Sequence, residues 1–432
     1  MNENRKLDAF SLAALLVSAH YGLGFILGTA EQSLTNGMAG SLYAVSLSLG
    51  TIALIGLGKF YWTRVEQIWT LLGSYYGSDV KIFIGLMSWA SLIGIEAVQL
   101  ISGAFILKIL GAPTIPTMLL MAILFAIISL LPVEKASWIF RGLLLLNFLA
   151  LLYALWALHG IPDYLRSPIS FTESLETISL PTKVGISLST ILLLLIDMRY
   201  QQFIVRAKNV RSVYKGCILA GVLLFLLALL PSSVVVAALK AGILPNGIDG
   251  KETLPFILSW IGGGTDKFFS ILLIASLLVP ALGVGSSTLR VQSKIILDFK
   301  ILPASDLNRL LITIVNIFLS LIIALKGGEI VFLIVSFYAA YVGGVIVPFV
   351  AYLIAQTGGY TFSKSSVKMS LIVSSISAIT ALILNLFIPS INFFGSVELN
   401  IMGMGIIFGI LSLFIGQAVD KYITPKNVKQ NI

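Results

Sequence analysis

The residues of this chain best suited to chemistry are few, and they sit where polar groups are expensive. Four sets interrupt long apolar runs. The first is Ser18-Ala-His20-Tyr21-Gly22-Leu-Gly24, which stays polar through Thr29, Glu31, Gln32 and Ser33. The second is Asp197-Met-Arg199-Tyr200-Gln-Gln202, directly behind a run of leucines. The third pairs Glu96 with Gln99, one turn apart on a helix. The fourth is Gly283, Gly285, Ser286, Ser287 and Thr288, behind Pro280. These types suit binding and ion exchange rather than bond-making. His20 titrates near neutral pH, and Asp197 is tolerable in an apolar place only with a partner, which His20 or Arg199 can supply. Hydroxyls and freed backbone carbonyls at a kinked helix can ligate a hard cation such as Na⁺. With 2 His and 1 Cys in the chain, there is no HExxH, no Cys–His pair and no phosphate-binding loop, so no catalytic residue and no organic cofactor are expected.

The elements that hold these residues follow from composition. Of 432 residues, 58% are hydrophobic and only 11% charged. A soluble domain carries about a quarter charged residues, so lipid must cover most of this surface. The net charge of +9 does not imply a nucleic-acid partner, because the basic residues lie between apolar runs rather than in a patch. A span needs about 20 mostly apolar residues. That rule gives twelve spans, near 8–32, 39–60, 81–109, 114–133, 136–159, 180–205, 213–239, 266–297, 308–325, 329–355, 368–388 and 397–419. Most of the 28 basic residues fall in segments on the N-terminal side of the membrane, which places both termini in the cytoplasm of a multi-pass cell-membrane protein. The first apolar stretch is read as a span and not a signal peptide, because it outruns an h-region and lacks an A-x-A site. The outer loops near 160–180 and 240–265 carry turn residues, and 63–79 reads as a short amphipathic helix on the inner face.

Two glycines beside His20 weaken the first span. Asp197 and Arg199, at i and i+2, point to different faces unless the sixth span is unwound. Close packing through small residues, a structural ion pair and simple back-bonding of the serines are the plain alternatives. Interrupted helices at spans one and six, oppositely oriented, suggest a five-plus-five inverted repeat. The expected fold is therefore an all-α membrane protein with broken helices 1 and 6 and two appended C-terminal helices. It forms a single domain over 1–432, with repeats at 8–160 and 175–356 and the appended pair at 366–420.

On these residues the chain resembles the sodium/solute symporter family, which has the leucine-transporter-type fold. AHYGLGFILGTAEQSLTNGMAG is similar to the family's first core helix and its Gly-rich turn, and GKFYWTRVEQIWTLLGSYYG to its inner-face segment. Gln99 sits where members often carry Gln. DMRYQQFIVRAKNVRSVYKG, from Asp197 to Gly216, is the sharpest match, and SKIILDFK resembles the ending of the eighth helix at Asp298. The resemblance covers roughly residues 8 to 355. It implies a symporter of a small polar organic solute, such as an amino acid, working by alternating access and coupled to Na⁺ or, alternatively, H⁺. The substrate-binding residues expected from the polar interruptions are His20, Gly22, Gly24, Glu96, Gln99, Asp197, Arg199 and Tyr200. Na⁺ is expected at the carbonyls of Ser18 and Tyr21. Counting back from Asp298 without gaps puts the family's hydroxyl pair at Leu282 and Gly283, so the hydroxyls one turn on, Ser286 and Ser287, are the candidates. The alternative is a transporter-like solute sensor without transport; such proteins usually append a signalling domain, and the expectation here is only a short tail after the last span.

Overall fold

The computed structural model describes residues 5–64, 67–130, 133–388 and 393–423, with the side chains of 133–143 outside that description. Lys135, Arg141 and the basic residues Lys426 and Lys429 of the orientation argument lie outside it. Among the described residues the chain is helical throughout, with one isolated bridge between Leu7 and Ala207 in place of any strand.

The first span is made of α1 (Ala9–His20) and α2 (Leu23–Asn36), and the second of α3 (Leu42–Ala53) and α4 (Ile55–Thr63). Between them the chain turns at Gly37, whose φ of 55° favours glycine. α5 (Ile68–Tyr76) is a short helix within 63–79. α6 (Ser78–Lys108), α7 (Thr114–Leu130) and α8 (Val133–Ala157) are spans three to five. The sixth span combines α10 (Leu180–Ile196) with α11 (Met198–Ile204), following the outer helix α9 (Ile161–Ser174). α12 (Val210–Lys240) is the seventh, and an outer helix α13 (Gly250–Ile261) leads to α14 (Phe268–Asp298), the eighth. α15 (Asp306–Lys326), α16 (Ile330–Gln356), α17 (Lys364–Phe387) and α18 (Val397–Ile423) complete twelve crossings. Seven of these helices are each long and apolar enough to cross alone; α7, at 17 residues, is at the short limit.

The helices sort by burial. In their apolar windows α6 and α16 are 83% and 89% buried, whereas α15 is 28% buried. α6 and α16 are therefore the central posts, and α15 presents Leu311, Phe318 and Leu325 outward. That exposed apolar belt makes this a multi-pass membrane protein, since only lipid can cover it.

The outer loops differ from the sequence reading. Each folds a helix, α9 and α13, where turn residues suggested irregular chain. Pro162 stands at the start of α9, where its missing N–H costs nothing, and Asp249 caps α13 by accepting from the Lys251 amide. Turn-forming residues here start helices.

Candidate functional site

Both expected breaks are present, and each has a local cause. At the end of α1 the Gly22 N–H turns back to the His20 carbonyl at 2.7 Å, and the Leu23 N–H goes to Gln99 Oε1 at 3.1 Å. Neither amide follows the helical pattern, and Ala9–His20 is bent by 58° from the segment Leu23–Ala53. Gly22 is needed for close approach: a Cβ there would lie 2.8 Å from Val284 Cγ2. Gly24 packs as tightly, its Cβ position 3.0 Å from Ile334. Among the described residues no amide donates to the carbonyls of Ser18 or Tyr21, so both are released from helical bonding.

In the sixth span Asp197 is extended, with φ −68° and ψ 118°, and separates α10 from α11 at a bend of 43°. The carbonyls freed at the end of α10 are taken by distant tyrosines. Tyr61 donates to Leu195, and Tyr341 donates to Ile196 at 3.2 Å. Asp197 caps α11, its Oδ1 accepting from the Arg199 N–H at 2.6 Å. This conformation lets an acid and a base at i, i+2 meet. Arg199 Nη2 lies 2.6 Å from Asp197 Oδ2, and Nε lies 3.1 Å from both carboxylate oxygens.

The two breaks come together. His20 Nε2 is 3.4 Å from Asp197 Oδ2, Arg199 Nη1 donates to the Ala19 carbonyl at 3.2 Å, and the His20 ring meets Tyr200 edge-on at 4.9 Å. All are buried, with His20 5% and Asp197 2% exposed, so His20 faces neither lipid nor water. The pair that could have been a surface ion pair is an interior one, with His20 beside it.

Beside this cluster is a cavity of about 180 Å³ between α1, α8, α11 and α14. Ser18, Tyr21, Arg199, Gly283, Ser286 and Ser287 line it. Of the two positions of the ungapped count Gly283 lines the cavity and Leu282 does not, and the hydroxyl-bearing Ser286 and Ser287 line it as well. Each serine hydroxyl donates back along its own helix, Ser286 to Gly283 at 3.3 Å and Ser287 to Val284 at 2.9 Å. Their oxygen lone pairs stay available to a cation. Residues carrying two hydroxyls and two released carbonyls line one cavity, and oxygen is the ligand type a hard cation such as Na⁺ takes.

Gln99 binds the first break directly, and Tyr200 holds Thr51 at 3.1 Å. Glu96 is elsewhere. It is fully buried on α6; of the expected substrate residues only Arg199 lines the cavity, and Glu96, like His20, Gly22, Gly24, Gln99, Asp197 and Tyr200, does not. The sequence reading missed Arg290, which lines the cavity and donates to the carbonyl of Ser129 at the end of α7 at 2.8 Å. It also missed Asn147, whose Oδ1 accepts from the Tyr21 hydroxyl at 2.9 Å. Arg290 was taken only as a topology marker, and Asn147 was the signal passed over, as a lone amide in the apolar fifth span.

No known family model matches the chain, and no curated protein matches its sequence. Solved structures do match in three dimensions. One is a substrate-bound, outward-open Na⁺-coupled sialic acid symporter, with 15% identity and a TM-score of 0.66 over 96% of this chain and 91% of that one. Another is a manganese transporter mutant from Eremococcus coleocola, with 14% identity and a TM-score of 0.60 over 94% and 95%. The chain has the leucine-transporter-type fold. That fold accounts for the meeting of spans one and six, because oppositely oriented broken helices converge at the midplane.

Proposed function

We propose that the protein is a secondary active transporter, a symporter that carries a small polar organic solute with Na⁺ by alternating access in the cell membrane, both termini cytoplasmic. The observation that carries this reading is the juxtaposition of the two broken helices with the Ser286–Ser287 pair around one cavity. The fold shared with two transporters supports it. In this reading the repeats at 8–160 and 175–356 rock about the site while α17 and α18 stay outside the cycle.

The residues imply the roles. Na⁺ bound by the carbonyls of Ser18 and Tyr21 and the hydroxyls of Ser286 and Ser287 ties α1 to α14. That tie couples ion occupancy to the relative position of two helices, and a ligand shifts such an equilibrium only through its differential affinity. The charged side chains lining the cavity, among the described residues, are Arg199 and Arg290. They suit a solute with a carboxylate, such as an amino acid or related metabolite, better than a metal cation. Arg199 is already balanced by Asp197, so the site need not repel Na⁺ outright.

Binding of radiolabelled Na⁺ to the purified protein tests the ion site. Ser286→Ala and Ser287→Ala should each raise the Na⁺ concentration for half-saturation about tenfold, equivalent to about 1.4 kcal/mol. Saturation unchanged in both variants would remove Na⁺ from this site.

A further inference from the structure

α6 holds a carboxyl group with nothing to neutralise it. Glu96 is 0% exposed, and neither carboxylate oxygen has a hydrogen-bond partner among the described residues. Ionised and unpaired, such a group is strongly destabilising.

Register shows what surrounds it. α6 meets α14 where a Cβ on Gly85 would lie 3.4 Å from Ile295. Glu96 lies three turns beyond Gly85 on the same face of α6, and Thr288 two turns before Ile295 on the same face of α14. Two turns before Glu96, Trp89 donates to Asn316 of α15 at 2.9 Å. Two turns beyond Glu96 on the same face, a Cβ on Gly103 would lie 2.8 Å from Met121 of α7, so Glu96 lies on the face of α6 turned toward α7, α14 and α15. α14 and α15 hold further buried polar atoms without partners: the Thr288 and Ser320 hydroxyls, the Gln292 amide and Asn316 Nδ2. One turn beyond Glu96, Gln99 holds the Leu23 amide at the helix break.

Charged groups on the elements around α6 are at its ends or engaged elsewhere. At the inner end Lys81 donates to the Asp298 carbonyl, Asp79 pairs with Lys368, and Arg309 lies 4.0 Å from Asp306. Lys294, near the inner end of α14, and Lys364, Tyr75 and Tyr76, on α17 and α5, belong to that level as well. At the outer end Lys108 pairs with Glu252 and Lys251 with Glu31, while Glu329 holds Gln32 and Lys326 donates to the Leu386 carbonyl. On α14 Arg290 donates to Ser129, and on α16 Tyr338 and Tyr341 engage Tyr43 and Ile196, with Tyr352 against Tyr75. α7 contributes no titratable side chain.

We propose that Glu96 is a proton-binding site of the transport cycle, separate from the cavity and sensed at the first helix break through Gln99. The carboxylic acid is the form present in this conformation. Rearrangement of α6 against α14 admits water, the O–H bond breaks, the proton leaves to that water and the carboxylate is hydrated. The coupling to conformation rests on the transporter reading; the protonation itself does not.

Two measurements on the purified full chain test it. Infrared spectra at neutral pH should show a buried carboxylic-acid band that is lost in Glu96→Gln, moved in Glu96→Asp, and retained in Glu31→Gln and Glu398→Gln. If no such band exists, or if neither Glu96 variant changes it, the site is not a proton site. For coupling, a thiol placed by Phe203→Cys at the cavity, in a Cys217→Ala background, reports access. Its labelling rate should change about tenfold across the pH range in which the band disappears, and should be flat in Glu96→Gln, or displaced along the pH axis in Glu96→Asp. The same pH response in the parent and both Glu96 variants would overturn the coupling. A protein that shows the band but moves no solute would keep the proton site and refute the transporter reading instead.

Discussion

Replacing Asp197 by Asn should remove Na⁺-driven uptake and lower the unfolding free energy by about 3–5 kcal/mol, the scale for breaking a buried ion pair from one side. The reason lies in what is left behind. Asn keeps the size and the capping oxygen of Asp197, so α11 can still start there. It cannot neutralise Arg199, whose guanidinium is held within 3.1 Å of the carboxylate and is 6% exposed. His20, at 3.4 Å, loses the same partner. A second substitution separates structure from function. In Asp197→Asn/Arg199→Gln no unpaired charge remains, so thermal stability should recover in large part while uptake stays absent. Recovery of both would reduce the pair to a structural brace.

The second large effect is expected where α2, α13 and α16 meet. Glu31 joins three elements: its Oε2 accepts from the Ile330 N–H at 2.8 Å at the start of α16, and its Oε1 lies 3.3 Å from Lys251 of α13. α13 sits directly on it, since a Cβ on Gly250 would come within 2.7 Å of Glu31 Cγ. Glu31→Ala leaves a buried helix-terminal amide without its acceptor and a mostly buried ammonium with Asp249 Oδ1, at 3.4 Å, as its remaining partner, a cost of about 1–3 kcal/mol. The loss should concentrate in the closure of α13 over the outer end of α2. Hydrogen exchange in Gly250–Ile261 should then accelerate about tenfold, tenfold being about 1.4 kcal/mol, with exchange in α6 much less affected. Unchanged exchange in α13 would mean that the outer closure rests on packing alone.

Much of this architecture could be read from residues. Spans were legible because hydrocarbon admits so few alternatives to an apolar helix. The breaks were legible because glycine beside His20, and an acid two residues from a base, fit no regular helix. Less could be read where the deciding partner is distant in sequence. Nothing near Asp197 announces that Tyr61 and Tyr341 will take the carbonyls of α10, or that the Asp197 carboxylate will meet Arg199 rather than His20 alone. Which residues of α14 line the cavity depends on how that helix is turned in the bundle, which an ungapped count from Asp298 cannot supply. The separation of Glu96 from the cavity is similar. Its spacing to Gln99 placed both on one side of α6, but the two residues face different neighbours, one the helix break and the other α14 and α15. Outer helices α9 and α13 were hidden for a different reason, since the same Pro, Asp and Gly residues make turns and begin helices.

The central claim, that the meeting of the two broken helices is a transport site, is tested most directly in proteoliposomes. Uptake of a panel of labelled carboxylate-bearing and zwitterionic solutes would be followed with a Na⁺ gradient imposed and then collapsed. The account predicts that at least one solute accumulates above its external concentration, that it drains when the gradient is collapsed, and that Asp197→Asn liposomes accumulate none. Accumulation that is the same in Asp197→Asn, or solute that only equilibrates down its own gradient, would contradict it.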